Sequence, residues 1–335
     1  MTWSERYGAQ LAGTAARLGE LMDDRRQLAL LPTPLHHAPR LSAALGAEIW
    51  LKRDDLTGLG MGGNKARKLE LLTADAVRCG ADTLVSVGAA QSNHARTVAA
   101  AAATAGLECE LIVGGHRPGK LRGNLLLNEI LGASLHFAGT EDWAELDTLT
   151  GQVAAAARER GASPYVIPVG GSVPLGVAAF AAAYVELRQQ CELAGLRPAA
   201  IVHASSSGGT QAGLELGRCL AGGDLAVVGV DVAKITGSLA DEVRRLIDGT
   251  AELLGIAAPA ASPRVIDGYL GPGYAVASEG GERALELLAR TEGVIADPVY
   301  TAKALHALSD EAFEGPVVFW HTGGTPALFA EGAPA

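Results

Sequence analysis

Short apolar runs alternate along this chain with longer segments in which apolar positions recur every three or four residues. The runs at 48–52, 83–87, 109–113, 165–169, 200–204, 226–232 and 317–320 read as strands, several of them apolar at nearly every position. Helical periodicity marks 64–78, 95–105, 121–131, 143–160, 175–193, 211–220, 239–254, 282–289 and 301–308. A strand apolar on both sides is buried on both faces, so the alternation predicts parallel sheets covered by helices on each side. Residues 5–30 add a predicted amphipathic helix with Leu11, Leu18, Leu21 and Met22 on one face, laid on the body or at a subunit interface. No low-complexity linker and no fixed-period repeat divides the chain.

Composition sharpens this picture. A chain of 335 residues with 48% hydrophobic and 19% charged residues predicts a well-packed globular protein of one large or two intimate domains. Lys+Arg number 27 against Asp+Glu 37, a net charge of −10, with aromatics at 4%. There is no basic stripe and little to stack bases on, so nucleic acid is not an expected partner. The Ala-rich stretch 97–105 is too short to span a bilayer, and residues 1–6 lack the apolar core of a signal peptide. Cys79, Cys109, Cys191 and Cys219 show no metal-ligand spacing and read as buried reduced thiols of a cytoplasmic protein. The histidines show no metal spacing either, so no metal is expected.

The polar chemistry concentrates in glycine-rich loops. Gly60-Met61-Gly62-Gly63-Asn64-Lys65 delivers one lysine to the start of a predicted helix. Lysine forms a Schiff base with carbonyl cofactors, although a lysine at a helix start is also commonly a solvated charge. Three more loops, 88–94, 205–210 and 321–325, each follow an apolar run. Ligands of open α/β sheets bind outside the carboxyl ends of strands, so the loops are expected to converge on one cleft. Gly58 to Gly63 also satisfies G-x-G-x-x-G, but Asp54 to Thr57 separate it from the preceding strand, and no acid ends the next one. In Ser207-Gly208-Gly209-Thr210 the glycines, the hydroxyls and a helix start suit an oxyanion, with an ordinary N-cap turn as the plainer reading. Gln91-Ser92-Asn93-His94 opens another helix, where backbone N–H groups suit a carboxylate.

Pro32-Thr33-Pro34-Leu35, Leu51-Lys52-Arg53-Asp54-Asp55, Gly62-Gly63-Asn64-Lys65, Gln91-Ser92-Asn93-His94, Asp297-Pro298-Val299-Tyr300 and His321-Thr322-Gly323-Gly324 occur in the order found in one family. From about Leu31 to Phe329 the chain resembles the fold-type II pyridoxal phosphate (PLP) enzymes of the D-cysteine desulfhydrase and 1-aminocyclopropane-1-carboxylate (ACC) deaminase family. The resemblance implies an α/β fold of two domains with open twisted parallel sheets and helices on both faces, as in the tryptophan synthase β subunit. It implies a larger PLP-binding domain, 1–69 plus 176–335, and a smaller one, 70–175. It further implies PLP on Lys65, its phosphate on Ser207, Gly208, Gly209 and Thr210, its phenolic oxygen on Asn93 and its pyridine nitrogen on Thr322. Ser92 and Gln91 are expected to hold the substrate carboxylate or touch the reacting carbon, and His94 to bind substrate or serve a structural hydrogen bond. Tyr300 and Tyr274 are expected to face cofactor and substrate. Asp54 and Asp55 read as structural partners of Arg53 or of helix ends, and His321 as a core or strand-end residue. A homodimer acting on a small amino acid is the family expectation.

Within that family, ACC deaminases carry a glutamate after the equivalent of Tyr300 and a leucine at the position of Thr322. This chain has Thr301 and Thr322, which points to β-elimination from D-cysteine, giving pyruvate, ammonia and hydrogen sulfide. A neutral hydroxyl at the pyridine nitrogen weakens the electron sink and favours expulsion of a good leaving group. L-cysteate sulfo-lyase shares much of the pattern, and the basic segment 114–122, with Arg117, Lys120 and Arg122, leaves an anionic substrate open. ACC deamination and a non-catalytic PLP-binding protein are the remaining alternatives.

Overall fold

The apolar runs become strands because their side chains pack on both sheet faces at once. The computed structural model describes residues 1–11, 16–260 and 262–330. Its strands are β1 (Leu35–His37), β2 (Ile49–Arg53), β3 (Thr83–Gly88), β4 (Glu108–Val113), β5 (Ser134–Phe137), β6 (Pro164–Ile167), β7 (Ala200–Ser205), β8 (Ala226–Asp231), β9 (Arg264–Ile266) and β10 (Val317–His321). The helices are α1 (Trp3–Tyr7), α2 (Ala16–Asp23), α3 (Pro39–Leu45), α4 (Lys65–Arg78), α5 (Asn93–Ala105), α6 (Gly123–Ile130), α7 (Trp143–Glu159), α8 (Pro174–Ala194), α9 (Gly209–Leu220), α10 (Leu239–Leu254), α11 (Glu279–Glu292) and α12 (Thr301–Asp310).

Two sheets result. One has six strands in the order β1-β2-β10-β7-β8-β9, the other four in the order β5-β4-β3-β6. Every pairing is parallel except β1 with β2, which is antiparallel, so the larger sheet is mixed where a purely parallel one was expected. Its central strand β10 is buried throughout, and β7 at every position but Ala204. Leu51, Val202, Val228 and Phe319 pack against α3, α11 and α12 on one face. Ile201, Val227, Val318 and Trp320 pack against Phe180 and Tyr184 of α8 and Leu214 of α9 on the other. The smaller sheet repeats the plan, with Leu84 and Leu111 toward α4 and α5, and Val85, Val87 and Ile112 toward Leu146 and Ala154 of α7.

The short elements β1, β5, β9 and α3 have no counterpart in the sequence reading. Three or four residues at a sheet edge hold too few positions to show a period. The helix expected over 5–30 is replaced by α1, a 3-10 turn at Gly8–Gln10 and α2, with 12–15 outside the described residues. After α2 the backbone turns to α4: Leu28 and Ala29 N–H donate to the Glu70 carboxylate and Arg26 N–H to the Glu70 carbonyl. Leu18, Leu21 and Met22 pack on Ala178, Ala182 and Val185 of α8, so this apolar face is covered by the protein's own body. Strand β6 stops at Ile167, two residues early, because Val169 enters a 3-10 turn in which Gly170 has φ 69°. Among the described residues no helix is long and apolar enough to cross a membrane, and no side-chain group is placed to hold a metal ion. All four cysteines are free, although Cys79 is exposed and Cys219 half-buried rather than buried.

Candidate active site

The loops after β3, β7 and β10 and the turn before α4 meet in one cleft of about 650 Å³. Its lining includes Lys65, Ser92, Asn93, His94, Ser207, Gly208, Thr210, Tyr274, Tyr300 and Thr322. Gln91 and Gly209 are not on the lining. The Gln91 amide accepts from Asn124 N–H (2.8 Å) and donates to the Arg122 carbonyl (3.3 Å), which caps the start of α6. The sequence reading did not single out Trp143, Val169, Gly170, Ala204 and Ile235, which complete the wall; it placed Ser205 and Ser206 in a cleft loop without a role, and it passed over Asn64 as a lining residue.

Asn64 ties the segments together. Its N–H donates to the Thr322 carbonyl (2.9 Å), its Nδ2 donates to Thr210 Oγ1 (3.1 Å), and its Oδ1 accepts from Lys65 Nζ (3.2 Å). Burial without a carboxylate partner pushes the Lys65 amine down to about 8, so it loses its proton far more readily than an ordinary lysine. Lys65 is half-buried on the lining, whereas Lys68, one turn on, is fully buried and donates to the Gly170 carbonyl (3.0 Å) and Ser172 Oγ (3.1 Å). Burial first, then Lys65, hold Lys68 well below the usual lysine range.

The 205–210 loop fits a phosphate. Gly208 sits at φ 74°, a left-handed conformation that costs other residues, and this lets α9 begin at the cleft wall. Ser172 accepts from Lys68 and shares a hydrogen bond with Ser207 (2.8 Å) in which either hydroxyl can donate; when Ser172 donates, the Ser207 proton is left for the cleft. Thr210 Oγ1 accepts from Asn64, so its proton is free in the same way. Two hydroxyl donors at the N-terminus of a 12-residue helix make an anion site. Ser205 Oγ, buried on the lining, has no partner among the described residues.

Asn93 Oδ1 accepts from Asn124 Nδ2 (3.1 Å) and Arg96 (3.4 Å), which leaves its Nδ2 as the donor for the cleft. Ser92 caps α5 by accepting from Ala95 N–H (3.1 Å) and keeps its own proton to donate. Ser86 donates to the Ile167 carbonyl (2.7 Å), so His94 Nε2–H donates to Ser86 Oγ (3.0 Å). The buried His94 Nδ1 is then a bare acceptor with no partner among the described residues. Burial, with Lys65 and Lys68 nearby, keeps His94 far below its ordinary range and neutral.

Across the cleft, the Tyr274 and Tyr300 hydroxyls are 2.6 Å apart. Burial raises both tyrosines and holds them protonated. Trp143, at the start of α7, lays its ring 6.4 Å from that of Tyr274. Tyr300 caps α12, whose first turn is fixed by Asp297: its carboxylate accepts from Tyr300 N–H (2.8 Å), Thr301 N–H (2.9 Å) and the Thr301 hydroxyl (2.6 Å). Thr301 is thus buried behind the site.

The expected surroundings resolve as follows. Asp55 pairs with Arg53 (2.7 Å), whereas Asp54 pairs with Arg67 (2.8 Å). His321 bridges the Ile295 carbonyl (3.1 Å) and Gly323 N–H (3.2 Å) at the strand end. Arg117, Lys120 and Arg122 are off the lining, and Arg117 is 3.7 Å from Glu129.

The family described as pyridoxal-phosphate dependent enzyme matches residues 26–323. A D-cysteine desulfhydrase of Salmonella schwarzengrund (strain CVM19633) is 43% identical over 320 residues, 91% of this chain and 95% of that protein. One from Salmonella choleraesuis (strain SC-B67) is 44% identical over 322 residues, with the same shares covered. The crystal structure of an ACC deaminase homologue superposes with a TM-score of 0.87 at 36% identity, covering 94% of this chain and 96% of that one. A threonine deaminase of T.th. shares the fold, with a TM-score of 0.65 at 21% identity over 90% of this chain and 94% of that one. By family match and by sequence relatives, this chain belongs to the pyridoxal-phosphate dependent enzymes.

Proposed function

We propose that the protein is a carbon–sulfur lyase that converts D-cysteine and water into pyruvate, ammonia and hydrogen sulfide. One observation carries the reading: a buried lysine amine without a counter-charge shares a cleft with a hydrogen-bonded pair of protonated tyrosines. The relatives named D-cysteine desulfhydrase support the choice of substrate.

PLP, when bound, supplies an electron sink that makes the Cα proton of an attached amino acid acidic. Lys65 is the residue that would hold it, with Ser207, Gly208, Gly209 and Thr210 at its phosphate, Asn93 Nδ2 at its phenolic oxygen and Thr322 at its pyridine nitrogen. Gly209 would contribute through its backbone at the start of α9. Ser92 and the N–H groups opening α5 hold the substrate carboxylate. The Lys65 amine, neutral once released, takes the Cα proton. The Tyr274–Tyr300 pair gives a proton to the departing sulfur. Gln91 acts from behind by fixing α6, and His94, held neutral and bonded to Ser86, braces the wall beside Ser92.

Among the described residues Lys65 is the one lysine or arginine on the lining. A sulfonate would therefore lack a counter-charge there, so a thiol suits the cleft better than cysteate. The same reading assigns the larger sheet to a domain of 1–69 plus 176–335 and the smaller sheet to one of 70–175; strands β3 to β6 all lie between 83 and 167. It also assigns a cytoplasmic homodimer, for which light scattering should give twice the 34.2 kDa chain mass.

A panel of D-cysteine, L-cysteine, L-cysteate, β-chloro-D-alanine and ACC tests the reading. D-cysteine and β-chloro-D-alanine should yield pyruvate. Sulfite from L-cysteate, or 2-oxobutyrate from ACC at a rate comparable to D-cysteine turnover, overturns it.

A further inference from the structure

We infer that Lys303 is a positioning residue for this reaction: it holds the loop that carries Tyr274 against Tyr300. The inference rests on the reading of the cleft given above. Lys303 lies in the first turn of α12 with its side chain fully buried. Its Nζ donates to the carbonyls of Leu270 (2.6 Å) and Gly273 (3.0 Å). These belong to the segment between β9 and α11, which has no helix or strand of its own and turns through positive φ at Gly271 and Ala275. Such a segment has few internal bonds to fix the side chain it presents.

One helix grips this loop at both ends. Near the far end of α12, the Tyr269 hydroxyl donates to Asp310 (3.2 Å), and the Tyr269 ring meets His306 edge-on at 5.1 Å. At the near end, Lys303 clamps two carbonyls, one of them in the residue before Tyr274. Tyr300 caps the same helix, so α12 carries one hydroxyl directly and the other through Lys303. The 2.6 Å contact between the two tyrosines is therefore set by α12.

The lysine is costly where it sits. Burial pushes its amine down to about 8, against the pull of Asp297, and both its hydrogen-bond partners are neutral carbonyls. Packing alone would be met by methionine or leucine. A long donor that reaches two carbonyls is what the loop needs, since carbonyls without donors would release it.

The test compares wild type, Lys303→Met, Gly271→Ala, Tyr274→Phe and the double variant Lys303→Met/Tyr274→Phe, each loaded with PLP. Gly271 has φ 68°, and an added Cβ would lie 2.6 Å from Ser278 Cβ, so Gly271→Ala displaces the loop without touching the buried lysine. Lys303→Met and Gly271→Ala should each lower kcat on D-cysteine roughly 10²-fold, as displacement of a catalytic group by about 1 Å does, with KM within about twofold. In the Tyr274→Phe background, Lys303→Met should change kcat less than about threefold, because its effect passes through the Tyr274 hydroxyl. Hydrogen exchange of 268–276 should speed at least tenfold in Lys303→Met, while the peptides of β7 and β10 keep their protection. Multiplicative losses in the double variant, or unchanged exchange over 268–276, overturn the inference. If the wild type fails to turn over D-cysteine, the substrate reading falls, and the exchange measurement alone then decides the role of Lys303.

Discussion

Helix α4 shows two kinds of buried cation, and the contrast between them explains the site. Lys65 and Lys68 lie three residues apart and face the cleft side, where their hydrogen-bond partners are amide, carbonyl and hydroxyl oxygens. Arg67 points the other way, into a cluster with Lys52, Asp54 and Glu186. It donates to both carboxylates, with Asp54 at 2.8 and 2.9 Å and Glu186 at 2.8 and 3.0 Å. Burial alone would raise the Glu186 carboxyl, but Arg67 and Lys52 override it and hold the group at about 2. The same two carboxylates raise Arg67 well above its normal range against its burial. On one face of the helix the charge is locked in place; on the other it is easily lost. On α4 the carboxylate partners separate the locked guanidinium from the lysines that lose their charge, while Lys52, off this helix, is still depressed by its burial despite Glu186.

Lys65→Met gives the largest effect expected from this contrast. Turnover should fall at least by the roughly 10²–10⁴-fold that a general acid–base group supplies, and the violet absorption of bound cofactor should vanish. Retained turnover would remove Lys65 from the chemistry. Glu186→Met should lower the unfolding free energy of the cofactor-free protein in urea by about 3–5 kcal/mol, since Arg67 and Lys52 would lose a shared partner. The Glu186 carboxyl is depressed from 4.5, so its stabilisation is whole above about 4.5 and drains as pH falls toward about 2. The deficit of the variant should therefore shrink below pH 4.5. A deficit independent of pH would mean that the cluster acts through packing.

The sign reverses for the cleft lysine. Its amine is depressed from 10.5 to about 8, so burying it costs stability in full below about 8, and the cost is relieved as pH rises toward 10.5. Lys65→Met should thus stabilise the cofactor-free protein by about 1–3 kcal/mol at pH 7 and by little at pH 10. PLP uptake by the wild-type cofactor-free protein should quicken with pH up to about 8 and then level off. Stability lost at pH 7 in Lys65→Met would break the comparison. An effect of similar size and opposite sign is expected in Thr301→Glu, which buries a carboxylate beside Asp297 and should cost about 1–3 kcal/mol without conferring ACC ring opening. The threonine read from sequence as a mark of substrate choice is, in the fold, the buried first residue of α12, bonded to Asp297.

What was legible in the sequence was what lies in loops. Glycines, hydroxyls and one lysine at strand ends pointed to a cleft, and Lys65, Asn93, Ser207, Thr210 and Thr322 all line it. Trp143, Lys68, Ser172 and Lys303 were invisible because they sit in helical segments or after a short strand, where the local pattern reads as ordinary packing or solvated charge. Their placement comes from tertiary packing, which no local period encodes. Gln91 illustrates the reverse error: it belongs to a motif, yet its amide is spent on α6. The N-terminal pattern did mark an apolar face, but only the packing on α8 shows what covers it.

Strand β10 sits between β2 and β7, although more than a hundred residues separate it from either in sequence. As the chain leaves the ribosome, the four-stranded sheet has all its strands by residue 167, while the six-stranded sheet lacks a central member until residue 321 has emerged. Until then β2 and β7 present open edges of the kind that invite wrong partners. The Thr322 carbonyl that fixes Asn64 arrives with the same segment. The place where the cofactor would bind is therefore among the last parts of the molecule to exist, and cofactor capture belongs after synthesis rather than during it.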